Sequence, residues 1–235
     1  MRVNHSILAA ALLGAATITV SGFATTYARA AINPFTETFA SGPVDWRDLG
    51  STVDAQWFAS GALDGTAYIS ATVDVDTTPT QFDPAVLRAQ ANFGTNGSSN
   101  GAFVGNWLTQ GVTTLSFDVR HDAPIALKPF FRLASPSNFP GAAVIGLPVV
   151  QPNTWTHVDV SLDPSMTTIA LEGFPLNDVL ASVGNLQFGM QVASIRGQAV
   201  TMRMDIDNVA ITPAPGAAVL FGVIGLAGAA RRRLR

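Results

Sequence analysis

Two groups of side chains in this 235-residue chain have chemistry to offer. The first is a set of planar polar and aromatic residues that strand alternation turns away from apolar neighbours. Leu115, Phe117 and Val119 share one face, leaving Ser116, Asp118 and Arg120 on the other. By the same rule Phe131 and Leu133 leave Phe130 and Arg132 outward, and Val158 and Val160 leave Trp155, His157 and Asp159 outward. Leu186, Phe188 and Met190 leave Gln187, Gly189 and Gln191 outward. If these strands share a sheet, it carries aromatic rings beside amides, acids and guanidinium groups. Sugars bind such surfaces, stacking C–H faces on rings and pairing hydroxyls with planar polar groups. The alternative is an ordinary polar sheet face with Trp155 tucked under a loop.

The second group centres on Glu37. In Phe35-Thr36-Glu37-Thr38-Phe39, alternation puts the carboxylate on the face of two phenylalanines. A buried carboxylate must be paired or bind a cation. The closing strand offers acidic neighbours. Val200, Met202, Met204 and Ile206 share one face, and Val209 and Ile211 are the next apolar pair. The phase flips at Asp207-Asn208, which predicts a β-bulge. Pairing with an arginine, or a position at an exposed strand end, remains the alternative for Glu37.

Support for catalysis is thin. His121 and His157 are the histidines downstream of the first 30 residues, and Glu37 and Glu172 are the two glutamates. The chain has no G-x-S-x-G elbow, H-E-x-x-H motif or P-loop. With no cysteine, thiol catalysis, thiolate metal sites and disulfides are excluded. The reading is a non-enzyme.

The elements that must position these residues lie between two apolar ends. Met1-Arg2, an apolar run from Ile7 to Val20 and Ala28-Arg29-Ala30 follow the order of a secretory signal peptide, cut by signal peptidase after residue 30. At the other end, Pro213-Ala214-Pro215-Gly216 precedes an apolar run from Ala217 to Ala230 and then Arg231-Arg232-Arg233-Leu234-Arg235. That run is shorter than the ~20 residues of a full membrane span. Its arginines would stay cytoplasmic, so the tail predicts a transient membrane contact during export.

The body between, residues 31–212, holds all 16 acidic residues but only seven of the 13 Lys and Arg, a balance of −9 against −3 for the whole chain. Nucleic acid, which needs a basic footprint, is excluded as a partner. Period-two alternation broken by Gly, Pro, Asn and Asp predicts antiparallel strands. They fall at 34–40, 55–60, 66–73, 86–92, 113–121, 126–133, 143–150, 154–162, 185–192 and 199–212, with one short helix over 176–183. The loop 94–101 has no apolar side chain and is expected to be mobile and exposed. The fold class is all-β: an antiparallel β-sandwich of jelly-roll type with one short helix. A signal peptide flanks it at 1–30 and a hydrophobic helix lies in the tail at 213–235.

The tail resembles a PEP-CTERM sorting signal: a proline motif, a brief hydrophobic helix and an arginine cluster. Ala214 stands where that family has Glu. The resemblance implies processing by an exosortase-like enzyme and delivery to the cell surface, outer envelope or extracellular matrix. Pro213, Ala214, Pro215, Arg231, Arg232 and Arg233 would form the signal.

The body resembles jelly-roll carbohydrate-binding modules and galactose-binding-like domains. The likeness rests on Phe35-Thr36-Glu37-Thr38-Phe39 with Trp46, on the segment 154–160, and on Met204-Asp205-Ile206-Asp207-Asn208-Val209-Ala210-Ile211. It implies a polysaccharide partner, for which the outward residues Trp155, Phe130, Arg132, His157, Asp118, Arg120, Gln187 and Gln191 are the candidate contacts. It also implies a structural calcium held by Glu37 and Asp207, with Asp205 a further candidate. The expected function is a non-catalytic carbohydrate-binding module. The alternatives are a purely structural or adhesive envelope protein and a polysaccharide hydrolase.

Overall fold

The structure is a computed structural model and describes residues 34–48, 50–75, 83–163, 165 and 169–214. The signal segment, Pro215 and Arg231–Arg233, with the hydrophobic helix expected before those arginines, lie outside the described residues.

Two antiparallel sheets pack face to face, as the alternation requires. The first contains β3 (Gln56–Phe58), β4 (Tyr68–Asp74), β12 (Thr201–Pro213), β6 (Val112–His121) and β9 (Thr156–Ser161), in that order, with β1 (Phe35–Glu37) also paired to β12. The second runs β10 (Ile169–Leu171), β8 (Gly141–Val144), β7 (Lys128–Ala134), β11 (Asn185–Gln191), β5 (Ala85–Gln90), β2 (Arg47–Asp48). The expected helix is the five-residue α1 (Leu176–Leu180), whose Leu176, Val179 and Leu180 are buried.

The inward residues meet as alternation predicts. Leu115, Phe117, Val119, Val158, Val160, Phe131, Leu133, Leu186, Phe188 and Met190 are all buried in one core. Phe188 of β11 is its hub, with its ring 5.0 Å from Phe117 of the opposite sheet, 5.1 Å from Phe131 and 5.6 Å from Trp46. β12 is the longest strand. Its first half pairs with β4 and its second half with β1, while β6 lies along its other edge. The register shifts between Asp207 and Ala210, and Asn208 takes φ 50°, so the bulge sits at the phase flip. Beyond it Pro213 still pairs with Val112, and the Ala214 N–H donates to Gly111 O at 2.9 Å. Two residues of the proline motif therefore lie against the body.

The serine-rich loop departs from expectation. Ser98 and Ser99 are buried, in a tight turn with Asn100 and Gly101 where Ser99 and Asn100 both take φ 52°. Trp46, wholly buried, donates its indole N–H to Ser99 Oγ at 2.8 Å. Ser98 Oγ donates to Asp45 O at 2.7 Å and accepts from Gln90 N–H at 3.0 Å. An indole N–H inside a core needs an acceptor, and these small hydroxyl residues supply it.

Phe188→Ala removes the ring that joins the sheets and should destabilise by about 3–5 kcal/mol. Ser99→Ala leaves the Trp46 N–H unpaired and should cost about 1–3 kcal/mol. Urea midpoints with unchanged slope check both; a Ser99→Ala midpoint equal to wild type would make the loop a mere connector.

Candidate functional site

Sheet membership divides the outward residues. Asp118, Arg120, Trp155 and His157 lie on β6, on β9 or just before it, in the first sheet. Phe130, Arg132, Gln187 and Gln191 lie on β7 and β11, in the second. The eight do not form one surface; they occupy opposite outer faces of the sandwich.

On the first sheet the side chains are largely spent on one another. The Arg120 guanidinium lies 4.6 Å from the Trp155 ring and 5.2 Å from Tyr68, and its Nε donates to Asp205 Oδ2 at 2.8 Å. Trp155 donates its indole N–H to Gly61 O at 2.9 Å, in the loop between β3 and β4. It is thus a tryptophan held by a loop. His157 Nδ1 pairs with Asp118 Oδ1 at 2.6 Å, and that bond raises the His157 pKa. Asn208 Nδ2 donates to Asp118 Oδ2 at 2.9 Å.

Asp207 is the strained member of this face. It is fully buried, its Oδ2 accepts from Thr66 Oγ1 at 3.2 Å, and its Oδ1 has no partner. Burial pushes its pKa up to about 6, helped by the nearby charges of Asp64 and Asp118.

The calcium set does not assemble among the described residues. Glu37 pairs in register with core-facing Val209, whereas Asp207 pairs with outward Asp118, so the two project from opposite faces of the sheet. Glu37 Oε1 instead accepts from the Phe39 N–H at 2.9 Å. Asp205 is held by Arg120 and lies 3.4 Å from Arg203 Nε. Among the described residues no group of three or more His, Asp or Glu is placed to hold a metal ion. These residues do not fit a calcium cage, which needs six to eight oxygens.

The second sheet presents a different surface. One row runs straight across its strands: Arg47, Arg88, Gln187, Arg132, Ala143 and Ala170 are successive register partners. Arg132 meets Glu172 bidentately, Nε to Oε1 at 2.6 Å and Nη2 to Oε2 at 2.7 Å. Its Nη1 donates to Asn138 Oδ1 at 2.9 Å, and Gln187 Nε2 donates to the same oxygen at 2.7 Å. A Cβ at Gly141 would overlap both Arg132 Nη2 and Glu172 Oε2, so a side chain there would have to push this pair off the sheet. Phe130 lies over Gly189 of the next strand, where a Cβ would strike its ring. It is a buried cover for the sheet, and Gln191 closes the strand beside Lys128.

At the rim two rings stand free. Phe139 is 54% exposed and Phe174 41%, and they meet edge to face at 5.4 Å. Their loops flank the Arg132–Glu172 pair from both sides, through Asn138 and Glu172 themselves. Sequence alternation passed over both rings because they sit in turns without periodicity. The available signal was an aromatic residue inside Ser135-Pro136-Ser137-Asn138-Phe139-Pro140, where nothing apolar needs to be.

No family model matches the chain, and no curated protein matches it. Solved structures do. The xylan-binding CBM22-1 domain of Paenibacillus barcinonensis Xyn10C is 13% identical with TM-score 0.46, over 80% of this chain and 98% of that one. The CBM22-1–GH10 modules of Clostridium thermocellum xylanase 10B give 12% and 0.47 over 78% of this chain, which spans 29% of theirs. A cleaved adhesin domain of Porphyromonas gingivalis Lys-gingipain gives 15% and 0.39, over 78% and 99%. At these scores and identities the likeness assigns no ligand.

The two raised groups of the first face give a pH signature. Asp207 holds its proton more tightly folded than unfolded, so its contribution is full below about pH 4 and is lost as pH rises through 6. His157, also raised, loses its contribution as pH rises past 6.5. Asp207→Asn mimics the protonated acid and should stabilise the fold at pH 7.5 by up to about 3 kcal/mol, with little effect at pH 4. Melting curves at both pH values check this; equal shifts at both would assign Asp207 no titration in this range.

Proposed function

We infer that the body is a non-catalytic carbohydrate-binding module that receives a polysaccharide on the outer face of the second sheet. The observation that carries this reading is the row of planar polar side chains with two exposed phenylalanines at its end. Amide, carboxylate and guanidinium groups offer in-plane hydrogen bonds to sugar hydroxyls. The free rings offer the apolar face that a sugar's C–H side requires. The network of Arg132, Glu172, Asn138 and Gln187 is already hydrogen-bonded, so binding would order little.

The two ends supply the setting. A signal peptide ending at Ala30 exports the chain, and the PEP-CTERM-like tail hands it to an exosortase-like enzyme for display at the envelope or in the extracellular matrix. A polysaccharide-binding body is suited to that location.

Retention on a panel of insoluble and soluble polysaccharides tests the body. Wild type should bind at least one class without degrading it. Phe139→Ala/Phe174→Ala should bind about tenfold more weakly with unchanged melting temperature, because both rings are largely outside the core. A folded wild-type protein silent on the whole panel would end the reading and leave a structural or adhesive envelope protein. The export claim has its own check: the secreted chain should begin at Ala31, and a mature protein still starting at Met1 would remove it.

A further inference from the structure

We propose that the ligand of this face is an anionic polysaccharide, bearing uronate carboxylates or sulfate esters, whose charged groups dock on the arginine row centred on Arg88. The inference rests on the carbohydrate-binding reading above and specifies its chemistry.

The distribution of charge points this way. The body carries seven cationic side chains against sixteen acidic ones. Three of the seven, Arg47, Arg88 and Arg132, stand in a single cross-strand row of the second sheet. Lys128 is a fourth on the same face, paired with Gln191. The opposite face carries Asp118, Asp159, Asp205 and Asp207. Arg120 and Arg203 also lie on that face but sit against Asp205, so the second sheet, with four of the seven cations, is the more positive face of an acidic body.

The partners of the three arginines differ. Arg132 makes four hydrogen bonds, two to Glu172 and two to Asn138. Arg47 lies 3.6 Å from Asp54, stacks 4.4 Å over Phe93, and donates to Ser51 O at 3.1 Å. Arg88, between them, forms no salt bridge among the described residues. It has a long contact of 3.4 Å to Ser51 Oγ, and its Nε is buried without a partner. Burial and the charge of Arg132 pull its pKa down from the usual arginine value, while Asp48 opposes this only at longer range. A part-buried guanidinium beside like charges is costly unless an anion completes it. The missing group is an anion with oxygen acceptors, and carboxylates and sulfates match the planar fork of arginine.

Spacing supports a polymer over a small ion. Arg88 and Arg132 stand two strands apart with Gln187 between them, roughly 10 Å at the usual strand separation. An anionic sugar docked at Arg88 would place its neighbours along the row, over the hydrogen-bonded Arg132, Glu172 and Asn138 network. The row leads across β8 toward the edge strand β10 and the Phe139–Phe174 rim, giving the chain a continuous path.

The test is affinity electrophoresis of the full chain through gels holding polygalacturonate, a sulfated galactan or neutral xylan, at low and high salt. Retardation by one or both acidic polymers is expected, weakened by salt. Arg88→Gln should lower that affinity about tenfold, Arg88→Lys should recover part of it, and Arg203→Gln on the opposite face should not matter. Melting temperature keeps the variants comparable; removing an unpaired buried charge should not lower it. Which acidic polymer binds identifies carboxylate or sulfate as the docked group. Equal retardation by xylan with an unaffected Arg88→Gln would overturn this inference and leave the carbohydrate reading standing. No retardation by any polymer would overturn both.

Discussion

Everything in this sandwich depends on rings of the two sheets meeting in the middle. The body has no disulfide to hold it, so the dry interior must supply its stability. Phe117 reaches from the first sheet and Phe188 from the second, and their edge-to-face contact sets the sheets at a separation that Trp46, Phe131 and the aliphatic residues then fill. Trp46 extends the constraint outward. Its indole N–H must be satisfied, and Ser99 satisfies it by drawing a polar loop into the interior. A segment with no apolar side chain is thereby part of the core.

Once the inner faces are committed, the outer faces diverge. On the first sheet, the bulge at Asn208 lets β12 keep apolar residues inward on both sides of it. The same strand then carries Asp205 and Asp207 outward, under the loop that ends at Thr66. Carboxylates, Arg120, Trp155 and His157 close over one another there, and Asp207 is left with an unpartnered oxygen and a raised pKa. On the second sheet, Gly141 and Gly189 remove the side chains that would block the surface, so Arg132 and Phe130 lie flat across their neighbours. One face is sealed by its own contents; the other keeps charged and aromatic groups at an open rim.

Much of this was legible in the alternation of apolar residues. Each of the expected strands has a counterpart, and every inward residue named on β6, β7, β9 and β11 is buried. The short strands β2 and β10 were not legible, because two or three residues cannot show a period. Nor was the grouping of the outward residues. Alternation says which side of its own strand a residue occupies and nothing of which sheet the strand joins. Trp155 and Phe130 look equivalent by pattern, yet one packs on Arg120 beneath a loop and the other covers a glycine on the far face. Glu37 shows the same limit: its face was readable, but its neighbours depended on the β1–β12 register.

The rim of the second sheet also ties fold and recognition to the same bonds. Asn185, buried on β11, donates to Ser135 O at 2.5 Å, while Ser135 and Ser137 hydroxyls both donate to Phe139 O. Asn138 in the same turn accepts from Arg132 and Gln187. The hydrogen bonds that satisfy buried polar groups at this end of the sheet are thus the bonds that fix where the Phe139 ring stands. A loop held this way loses little further freedom when a ligand settles against it, which is the usual route to useful affinity on an exposed surface. Arg88 is the complement of that arrangement. The Arg132, Gln187 and Asn138 end of the row is already hydrogen-bonded, whereas the Arg88 and Arg47 end keeps Nε groups without a hydrogen-bond partner, so an incoming anion there gains charge-assisted bonds while breaking few others.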